Sequence, residues 1–246
     1  MQGNSKDSEC PECHGTEWIL SEDENGCPQA RPCKCWERNQ MSRRIKFAEI
    51  PEAYKGIGLK NFSLNVYQTI SGRNAASAAC RTIKKYLDGF HDAYSEGLGL
   101  YIYSETKGSG KTRMAVSIAN ELVKQYPVKF AVSTEILNEI RKTYDRESGM
   151  TESRVLDALV DVDILFIDDF GAENMTGWVN DKFYHIVNER YINKKVTLFT
   201  SNEAVENLKY DGRIKSRVQE RTYQVPFPEE SVRAAQAAER NRRMME

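Results

Sequence analysis

A chain of 246 residues has room for one main hydrophobic core and a small satellite, because a single core usually serves roughly 100 to 200 residues. Charged residues make up 29% of it, yet the formal net charge is -1, so overall charge neither predicts nor excludes a nucleic-acid partner. The apolar runs are no longer than strands and the N-terminus is polar and acidic, a pattern that argues against a signal peptide and a membrane span and predicts a cytoplasmic protein.

The N-terminal segment is rich in cysteine. Five of the six cysteines lie within the first 35 residues, and the pairs Cys10-x-x-Cys13 and Cys33-x-Cys35 are separated by nineteen residues. Two such pairs can offer four thiolates to one tetrahedral ion, and without a signal peptide this spacing favours zinc over disulfide bonds. A segment of about forty residues cannot build a sufficient core, so a structural zinc would contribute roughly 10 to 16 kcal/mol to its folding.

Other ligands and another chemistry remain open for this segment. His14 directly follows Cys13, which makes joint ligation by both side chains awkward, and Cys27 lies in the loop between the two pairs. The four paired cysteines are the predicted zinc ligands. A redox-active Cys-x-x-Cys pair is the competing interpretation, but it leaves the second pair and its spacing unexplained.

Composition divides the chain into three parts. Residues 1–38 form the predicted zinc-binding module, 39–60 a linker that begins with a basic, helix-like stretch, and 61–246 the main domain. From Phe62 onward, short β-rich runs alternate with longer segments of helical period. This alternation is typical of an α/β fold in which helices flank a parallel sheet.

Hydrophobic periodicity predicts the elements of the main domain. In chain order they are helix 74–95, strand 98–104, helix 110–125, strand 128–133, two helices, strand 163–167, helix 178–193, strand 196–200, two short helices, strand 222–227 and a charged terminal helix. The helix after strand 128–133 is predicted to open at Thr134, whose hydroxyl is a candidate N-cap.

A glycine-rich loop, SETKGSGKT, follows strand 98–104 and opens helix 110–125. Its backbone N–H groups and the helix N-terminus can converge on a chain of phosphates. Lys111 can bridge the terminal phosphates, and the Thr112 hydroxyl can ligate magnesium. The candidate nucleotide-binding residues are Gly108, Ser109, Gly110, Lys111 and Thr112. A plain glycine-rich turn is the competing interpretation.

One position departs from the pattern Gly-x-x-x-x-Gly-Lys-[Ser/Thr]. Glu105 occupies the place of the first glycine, near where phosphates would lie. Its carboxylate can point outward while Lys111 and Thr112 make the direct contacts. We therefore expect altered affinity rather than loss of nucleotide binding.

The apolar strand 163–167 is followed by two carboxylates, Asp168 and Asp169. A buried strand has no structural use for paired acids at its carboxyl end. A magnesium ion beside them explains both, because Asp168 would hold the metal and Asp169 would orient or deprotonate an attacking water. A solvated turn before Gly171 is the competing interpretation.

Further polar residues follow in the last third of the chain. Asn202 comes soon after strand 196–200, and residues at the carboxyl ends of parallel strands face the ligand crevice. Asn202 is therefore predicted to sense the terminal phosphate. Arg213 and Arg217 are four residues apart in a predicted helix, where spacing alone favours a solvated basic stripe.

The motifs GSGKT, FIDDFGAE, TSN, RIKSR and a late SVR follow one another in this order. In that order they resemble those of the AAA+ helicase loaders typified by DnaC and DnaI, in the IstB-like group of ATP-binding proteins. The resemblance spans nearly the whole chain. It implies an AAA+ P-loop ATPase core with ATP and magnesium as cofactors, a small N-terminal zinc-binding module and a much reduced C-terminal lid.

The resemblance also implies roles for single residues. The matched positions are Lys111 and Thr112 in Walker A, Asp168 and Asp169 in Walker B, Asn202 as sensor one, Arg217 as arginine finger and Arg233 as sensor two. An arginine finger acts on the ATP of a neighbouring subunit and can raise the rate of hydrolysis by about 10³- to 10⁵-fold. Hydrolysis would therefore be slow until subunits and partners assemble.

The implied partners are a replicative DNA helicase, single-stranded DNA and further copies of the chain in an ATP-dependent homo-oligomer. By resemblance, the zinc module contacts the helicase and hydrolysis releases the loader. Two stretches, 43–46 and 84–86, offer cations or an aromatic ring to single-stranded DNA, and both fit solvated helix faces equally well.

Two other functions stay open. A transposition helper ATPase of the IstB type shares the ATPase motifs but acts with a transposase, and the zinc module argues against it. A non-hydrolysing adaptor would carry a nucleotide site weakened by Glu105 and would bind its partners through the zinc module. Measured ATP turnover with an assembled partner separates the adaptor from an ATPase.

Overall fold

The computed structural model describes residues 10–23, 27–54, 56–145, 149 and 151–245. The strands are β1 Trp18–Glu22, β2 Pro28–Pro32, β3 Gly99–Tyr103, β4 Val128–Val132, β5 Ile164–Asp168, β6 Val196–Ser201 and β7 Thr222–Pro226. The α-helices are α1 Cys35–Ala48, α2 Ile70–Asp88, α3 Phe90–Glu96, α4 Lys111–Leu122, α5 Ser133–Lys142, α6 Glu152–Val160, α7 Gly177–Ile192, α8 Gly212–Glu220 and α9 Val232–Met245.

The chain divides into two compact units, Met1–Phe47 and Ala48–Glu246. Helix α1 runs through residue 38, where the zinc-binding module was predicted to end, and it makes up much of the predicted linker 39–60. Short 3₁₀ turns follow it in the second unit, at Glu52–Tyr54, Leu59–Asn61 and Leu64–Val66. No helix in the described residues has the length and apolar character needed to cross a bilayer.

The first unit contains an antiparallel hairpin of β1 and β2, with Trp18 paired to Pro32. Glu17, just before the hairpin, is buried and accepts hydrogen bonds from Arg43 and Asn39 of α1 at 2.6 Å and 3.0 Å. These bonds tie the start of the hairpin to the helix, although the unit offers little apolar surface for packing.

The second unit is built on a five-stranded sheet in the order β4-β5-β6-β3-β7. Every strand pair in it is parallel, and β6 lies between β5 and β3 in spite of coming later in the chain. The carboxyl ends of β3, β5 and β6 therefore lie side by side at one edge. This architecture confirms the predicted α/β fold with helices flanking a parallel sheet.

Alternate residues of the strands enter two hydrophobic cores, one on each face of the sheet. Leu100 and Ile102 of β3 pack with α2, α3 and α4, whereas Tyr101 between them packs with α5, α6, α7 and α8. All three side chains are fully buried. Because burial of one large apolar side chain contributes about 1.5 to 3 kcal/mol, the two cores stabilise this unit without a ligand.

The buried Arg190 of α7 joins these layers through backbone carbonyl groups. Its guanidinium donates hydrogen bonds to the carbonyls of Leu159, Val162 and Val196 at 2.7, 2.8 and 2.6 Å. These carbonyls lie at the end of α6, just before β5 and at the start of β6. A buried cation is thus stabilised by dipoles rather than by a carboxylate in contact with it.

Two local predictions were wrong. The helix predicted over 74–95 is two helices, since α2 begins at Ile70 behind the N-cap Thr69 and ends at Asp88, and α3 begins after Gly89. The apolar period continues through the break, which concealed it. Helix α5 begins at Ser133 rather than behind Thr134, and its N-cap position makes no side-chain hydrogen bond.

Candidate active site and metal centre

The predicted nucleotide-site residues come together at the carboxyl edge of the sheet. The phosphate loop follows β3, Asp168 is the last residue of β5, and Asn202 directly follows β6. The Ser104 N–H donates to the Ser201 carbonyl at 3.3 Å and so continues the pairing of β3 with β6 beyond the strand. Parallel pairing thus gathers residues that are far apart in the chain.

The phosphate loop needs glycine at two positions. Gly108 and Gly110 have φ values of 81° and 106°, in the left-handed region. A Cβ at Gly108 would lie 2.9 Å from the Ser231 hydroxyl, and one at Gly110 would lie 3.3 Å from the Tyr67 hydroxyl. Helix α4 begins directly after Gly110, so its free N–H groups point toward the loop.

Lys111 lies within the loop that would hold the phosphates. Its ammonium donates to the carbonyls of Ser104 and Thr106 at 3.0 and 3.1 Å and lies 3.3 Å from the hydroxyl of the buried Ser109. Burial lowers its pKa, and the negative charges of Asp169 and Glu229 act in the opposite direction. The Lys111 ammonium, which is buried and hydrogen-bonded to carbonyls, can exchange these acceptors for phosphate oxygens with little movement of the side chain.

Asp168 accepts hydrogen bonds from two threonine hydroxyl groups. Thr112 of α4 lies 3.1 Å from one carboxylate oxygen, and Thr200 of β6 lies 2.5 Å from the other. Burial raises the pKa of Asp168 to about 6, although the Thr200 hydrogen bond lowers it. Oxygen atoms from a hydroxyl and a carboxylate are ligands that Mg²⁺ prefers, and Thr112 and Asp168 offer them side by side.

Asp169 occupies a backbone conformation that is rare for residues with a side chain, with φ at 54°. Its N–H donates to Thr200 at 3.0 Å, and its carbonyl lies 2.8 Å from the Ser133 hydroxyl. Ser133 also lies 2.9 Å from the buried carboxylate of Glu173. These contacts hold the strained backbone of Asp169, and strain of this kind concentrates at functional sites.

A carboxylate from the segment after β7 also contacts the phosphate loop. Glu229 accepts the N–H groups of Glu105 and Thr106 at 2.9 and 2.8 Å. Partial burial raises its pKa, but these hydrogen bonds outweigh burial and lower it overall. Glu105 itself is exposed, which is consistent with a carboxylate that points outward. The loop therefore holds an internal anion at the N–H groups of Glu105 and Thr106.

The same segment connects the loop with the residues before α2. Arg233, at the start of α9, is exposed, and its N–H lies 3.4 Å from the Gly108 carbonyl. Glu230 accepts hydrogen bonds from the N–H groups of Gln68 and Thr69. Arg233 is thus brought to the phosphate loop, as its predicted role requires.

The other two predicted residues lie in different settings. Asn202 is half-buried at the carboxyl edge, and within the described residues its side chain makes no hydrogen bond. Arg217 of α8 packs against the rings of Tyr184 and Tyr191, and none of its described contacts involves the phosphate loop. Arg213 packs against Tyr184 as well, so the pair is more than a solvated basic stripe.

The four paired cysteines form one cluster in the first unit. Their sulfur atoms all lie within 4.8 Å of one another, with 3.7 Å between Cys10 and Cys33 and 3.4 Å between Cys13 and Cys35. Tetrahedral zinc with Zn–S bonds of about 2.3 Å separates its sulfur ligands by about 3.8 Å, so the cluster is compatible with zinc.

The competing ligands lie outside this cluster. His14 and Cys27 are both exposed, and neither belongs to the group of potential ligands among the described residues. Cys35 lies within hydrogen-bonding reach of other thiols, and burial together with these thiols raises its pKa. Four thiols in such contact cannot all ionise without a cation to share.

Sequence patterns did not indicate several supporting residues of the active site. Thr200 and Ser133 contact Asp168 and Asp169 directly, Glu173 contacts Ser133, and Glu229 contacts the phosphate loop at Glu105 and Thr106. No spacing rule connects these four residues to the site. The run of glutamates at 229–230, next to the late SVR motif, is the one signal that could have been noticed.

Comparisons with known proteins agree with this geometry. Residues 101–214 match the family described as IstB-like ATP binding protein. The phage-like element PBSX protein XkdC of Bacillus subtilis (strain 168) is 25% identical over 205 residues, which cover 80% of this chain and 73% of XkdC. The replicative helicase loader DnaI of the same organism is 31% identical over 161 residues, which cover 63% of this chain but only 48% of DnaI.

A solved structure shows the same fold. The crystal structure of the DnaC helicase loader superimposes with a TM-score of 0.59 at 21% identity, covering 72% of this chain and 99% of that one. The chain thus carries an IstB-like ATP-binding domain that is homologous to the DnaC and DnaI helicase loaders. The match to the IstB-like ATP binding protein family supports a general ATPase activity, and the solved DnaC structure shows the fold.

Proposed function

We propose that this chain, with its IstB-like ATP-binding domain homologous to helicase loaders, is an ATP-dependent loader of a replicative DNA helicase in the initiation of DNA replication. The observation that carries the proposal is the group of Lys111, Thr112, Asp168 and Asp169 at the carboxyl edge of the sheet, next to the free N–H groups of α4. These are the groups that binding and hydrolysis of Mg-ATP require.

The residues divide the work of hydrolysis. The loop from Gly108 to Thr112 binds the β- and γ-phosphates through N–H groups, and Lys111 exchanges its carbonyl partners for phosphate oxygens. Thr112 and Asp168 would hold magnesium, which supplies charge neutralisation when bound. Asp169 orients the attacking water and takes its proton.

Two further residues respond to the terminal phosphate. Asn202 sits at the same edge with its amide unengaged in the described residues, and we assign it to hydrogen bonding of the γ-phosphate and the attacking water. Arg233 approaches the phosphates from α9. None of the described contacts of Arg217 involves its own phosphate loop, so we assign it to the site of a neighbouring copy. Hydrolysis is then slow until copies assemble with their partner.

Single-stranded DNA is the proposed nucleic-acid partner, but one of the stretches offered by the sequence cannot stack on bases. Tyr86 is buried, and its hydroxyl donates to the Leu98 carbonyl at 2.9 Å. A better surface lies near the start of α7, where Arg141 stacks over Trp178 at 4.9 Å beside the exposed Tyr144. Aromatic faces with a cation are what base stacking and backbone contact require.

A second candidate function is favoured by Glu229. Its carboxylate on the first N–H groups of the phosphate loop repels a triphosphate, as expected of a weakly hydrolysing nucleotide-binding adaptor. In the loader the zinc-bound cysteine module would contact the helicase, and in the adaptor it would bind the partners. The loader and the adaptor differ in whether ATP is hydrolysed when the bound partner is released.

The proposal is tested by co-purification of the chain with candidate replicative helicases, with and without Mg-ATP. We expect ATP-dependent retention of a helicase, its loss in Lys111→Ala and its loss in Cys10→Ser. Cys27→Ser is the matched control, because it removes a thiol of the same unit that lies outside the cluster. Retention of a transposase instead of a helicase would overturn the loader assignment but leave the assignment of an ATPase activity unchanged.

A further inference from the structure

Arg217 lies in a ladder of alternating arginine and tyrosine side chains between α7 and α8. The guanidinium of Arg213 lies 4.4 Å from the centre of the Tyr184 ring, and that of Arg221 lies 4.8 Å from the centre of the Tyr191 ring. Arg217 stands between the two rings, 5.3 Å from Tyr184 and 5.4 Å from Tyr191. Cations within about 6 Å of a ring centre are attracted to it.

Only Arg213 in this ladder forms an ion pair within the described residues, whereas Arg217 and Arg221 each donate to a backbone carbonyl. Arg213 forms a two-point ion pair with Asp211 at 3.1 and 3.2 Å, and Arg221 donates to the Glu96 carbonyl at 2.9 Å. Arg217 donates to the Arg213 carbonyl at 3.0 Å and forms no ion pair with any described residue. The middle guanidinium therefore keeps hydrogen-bonding capacity for an external anion.

The rings also compensate an unfavourable feature. The Nε atom of Arg217 is buried and has no hydrogen-bond partner among the described residues. Such a group persists only where its surroundings hold it in place. Two aromatic faces restrict a side chain that would otherwise sample many rotamers, so the ordering is complete before the anion arrives.

We infer that Tyr184 and Tyr191 are positioning residues for Arg217. They hold its guanidinium between two rings with one edge free for the terminal phosphate of ATP bound to a second copy of this chain. The inference rests on the proposed function, in which Arg217 completes the site of a neighbouring copy. A ladder that only stabilised the packing of α7 on α8 would affect each copy's own site and its neighbour's site alike.

Mixed assemblies separate these two roles. Asp169→Asn copies have an inactive site and an intact Arg217, whereas Arg217→Ala copies have an intact site and no finger. Each is expected to be nearly inactive alone, and the mixture is expected to recover ATP hydrolysis. The test adds Tyr184→Leu to one partner or the other and measures turnover of the mixture, after binding of a labelled ATP analogue has shown that each variant folds.

Tyr184→Leu in the Asp169→Asn copies is expected to lower the recovered rate by about tenfold, because it loosens the finger that acts in trans. In the Arg217→Ala copies it should have no effect. Tyr184→Phe, which keeps the ring, should retain the rate in either place, and Ile192→Ala on the exposed side of α7 is the matched control. Tyr191→Leu serves as a second variant with the same expected asymmetry.

The outcomes distinguish failure of the positioning role of the tyrosines from failure of the arginine finger. Recovery that is insensitive to Tyr184→Leu and Tyr191→Leu, or equally reduced by either placement, overturns the positioning role and leaves the arginine finger in place. No recovery in the parent mixture overturns the finger itself and the inference with it.

Discussion

The two units of the chain are stabilised by different means. In the described part of the first unit the buried apolar side chains are Cys13, Cys33 and Cys35, while Leu20 of the hairpin is 79% exposed. In the second unit two hydrophobic cores cover both faces of a parallel sheet. We therefore propose that the fold of the first unit depends on a zinc ion at the cysteine cluster. The second unit can carry a strained and highly charged site because its two cores stabilise the rest of it.

Removal of zinc tests this contrast with the largest expected effect. A strong chelator should unfold the hairpin of β1 and β2, since structural zinc contributes roughly 10 to 16 kcal/mol, and should leave the sheet of the second unit intact. Amide hydrogen exchange resolved by segment measures both. Hairpin amides that stay protected after the metal is shown to be gone would contradict the account.

Replacement of Arg190 tests how much its buried hydrogen bonds contribute to the stability of the second unit. Arg190→Met removes hydrogen bonds to several buried carbonyls, each of which costs about 1 to 3 kcal/mol when left unpaired, so we expect a loss of about 3 to 5 kcal/mol. Urea unfolding monitored in the second unit provides the measurement. The exposed Arg154→Met is the control and should change the free energy of unfolding by less than about 0.5 kcal/mol.

Asp168 tests the opposite expectation, that a functional residue lowers stability. A carboxyl whose pKa is raised to about 6 by burial destabilises the folded state above that pH, so Asp168→Asn should raise the free energy of unfolding at pH 7 by about 1 to 3 kcal/mol without magnesium. The advantage should shrink as the pH falls from 6 toward 4, because wild-type Asp168 then takes up a proton. An unchanged advantage at pH 4 would contradict the burial argument.

Replacement of Glu229 is expected to have the smallest effect, and that effect is on the affinity for Mg-ATP. Glu229→Gln keeps a side chain of the same size at the N–H groups of Glu105 and Thr106 but removes a negative charge near the phosphates. We expect about a three- to tenfold lower Kd for Mg-ATP by titration with a fluorescent analogue. Glu230→Gln is the matched control, because that carboxylate binds Gln68 and Thr69 instead.

Sequence patterns predicted the parts of the molecule that depend on local spacing. The strand of Asp168, the glycine loop and the two cysteine pairs each carry their signal within a few residues. The sheet edge that assembles the active site could also be predicted, because carboxyl ends of parallel strands meet there. The break of the long helix at Gly89 could not, since the apolar period continues across it.

Contacts between distant elements were beyond prediction. Thr200 joins Asp168 to the backbone of Asp169, and Glu229 reaches the phosphate loop from more than a hundred residues away. Hydroxyl and carboxyl side chains are common, and no periodicity identifies the few that face a site. The tyrosines beside Arg217 were hidden for the same reason, because their sequence spacing fits an ordinary helix face.

We propose that Asp169 and its neighbours hydrolyse ATP at the carboxyl ends of the parallel strands. The most direct measurement is the rate of ATP hydrolysis by the intact chain with magnesium and a retained helicase, compared with Asp169→Asn. We expect the variant to bind Mg-ATP but to hydrolyse it at least about 10²-fold more slowly. Equal rates for the variant and the wild type, or no hydrolysis by either, would contradict it.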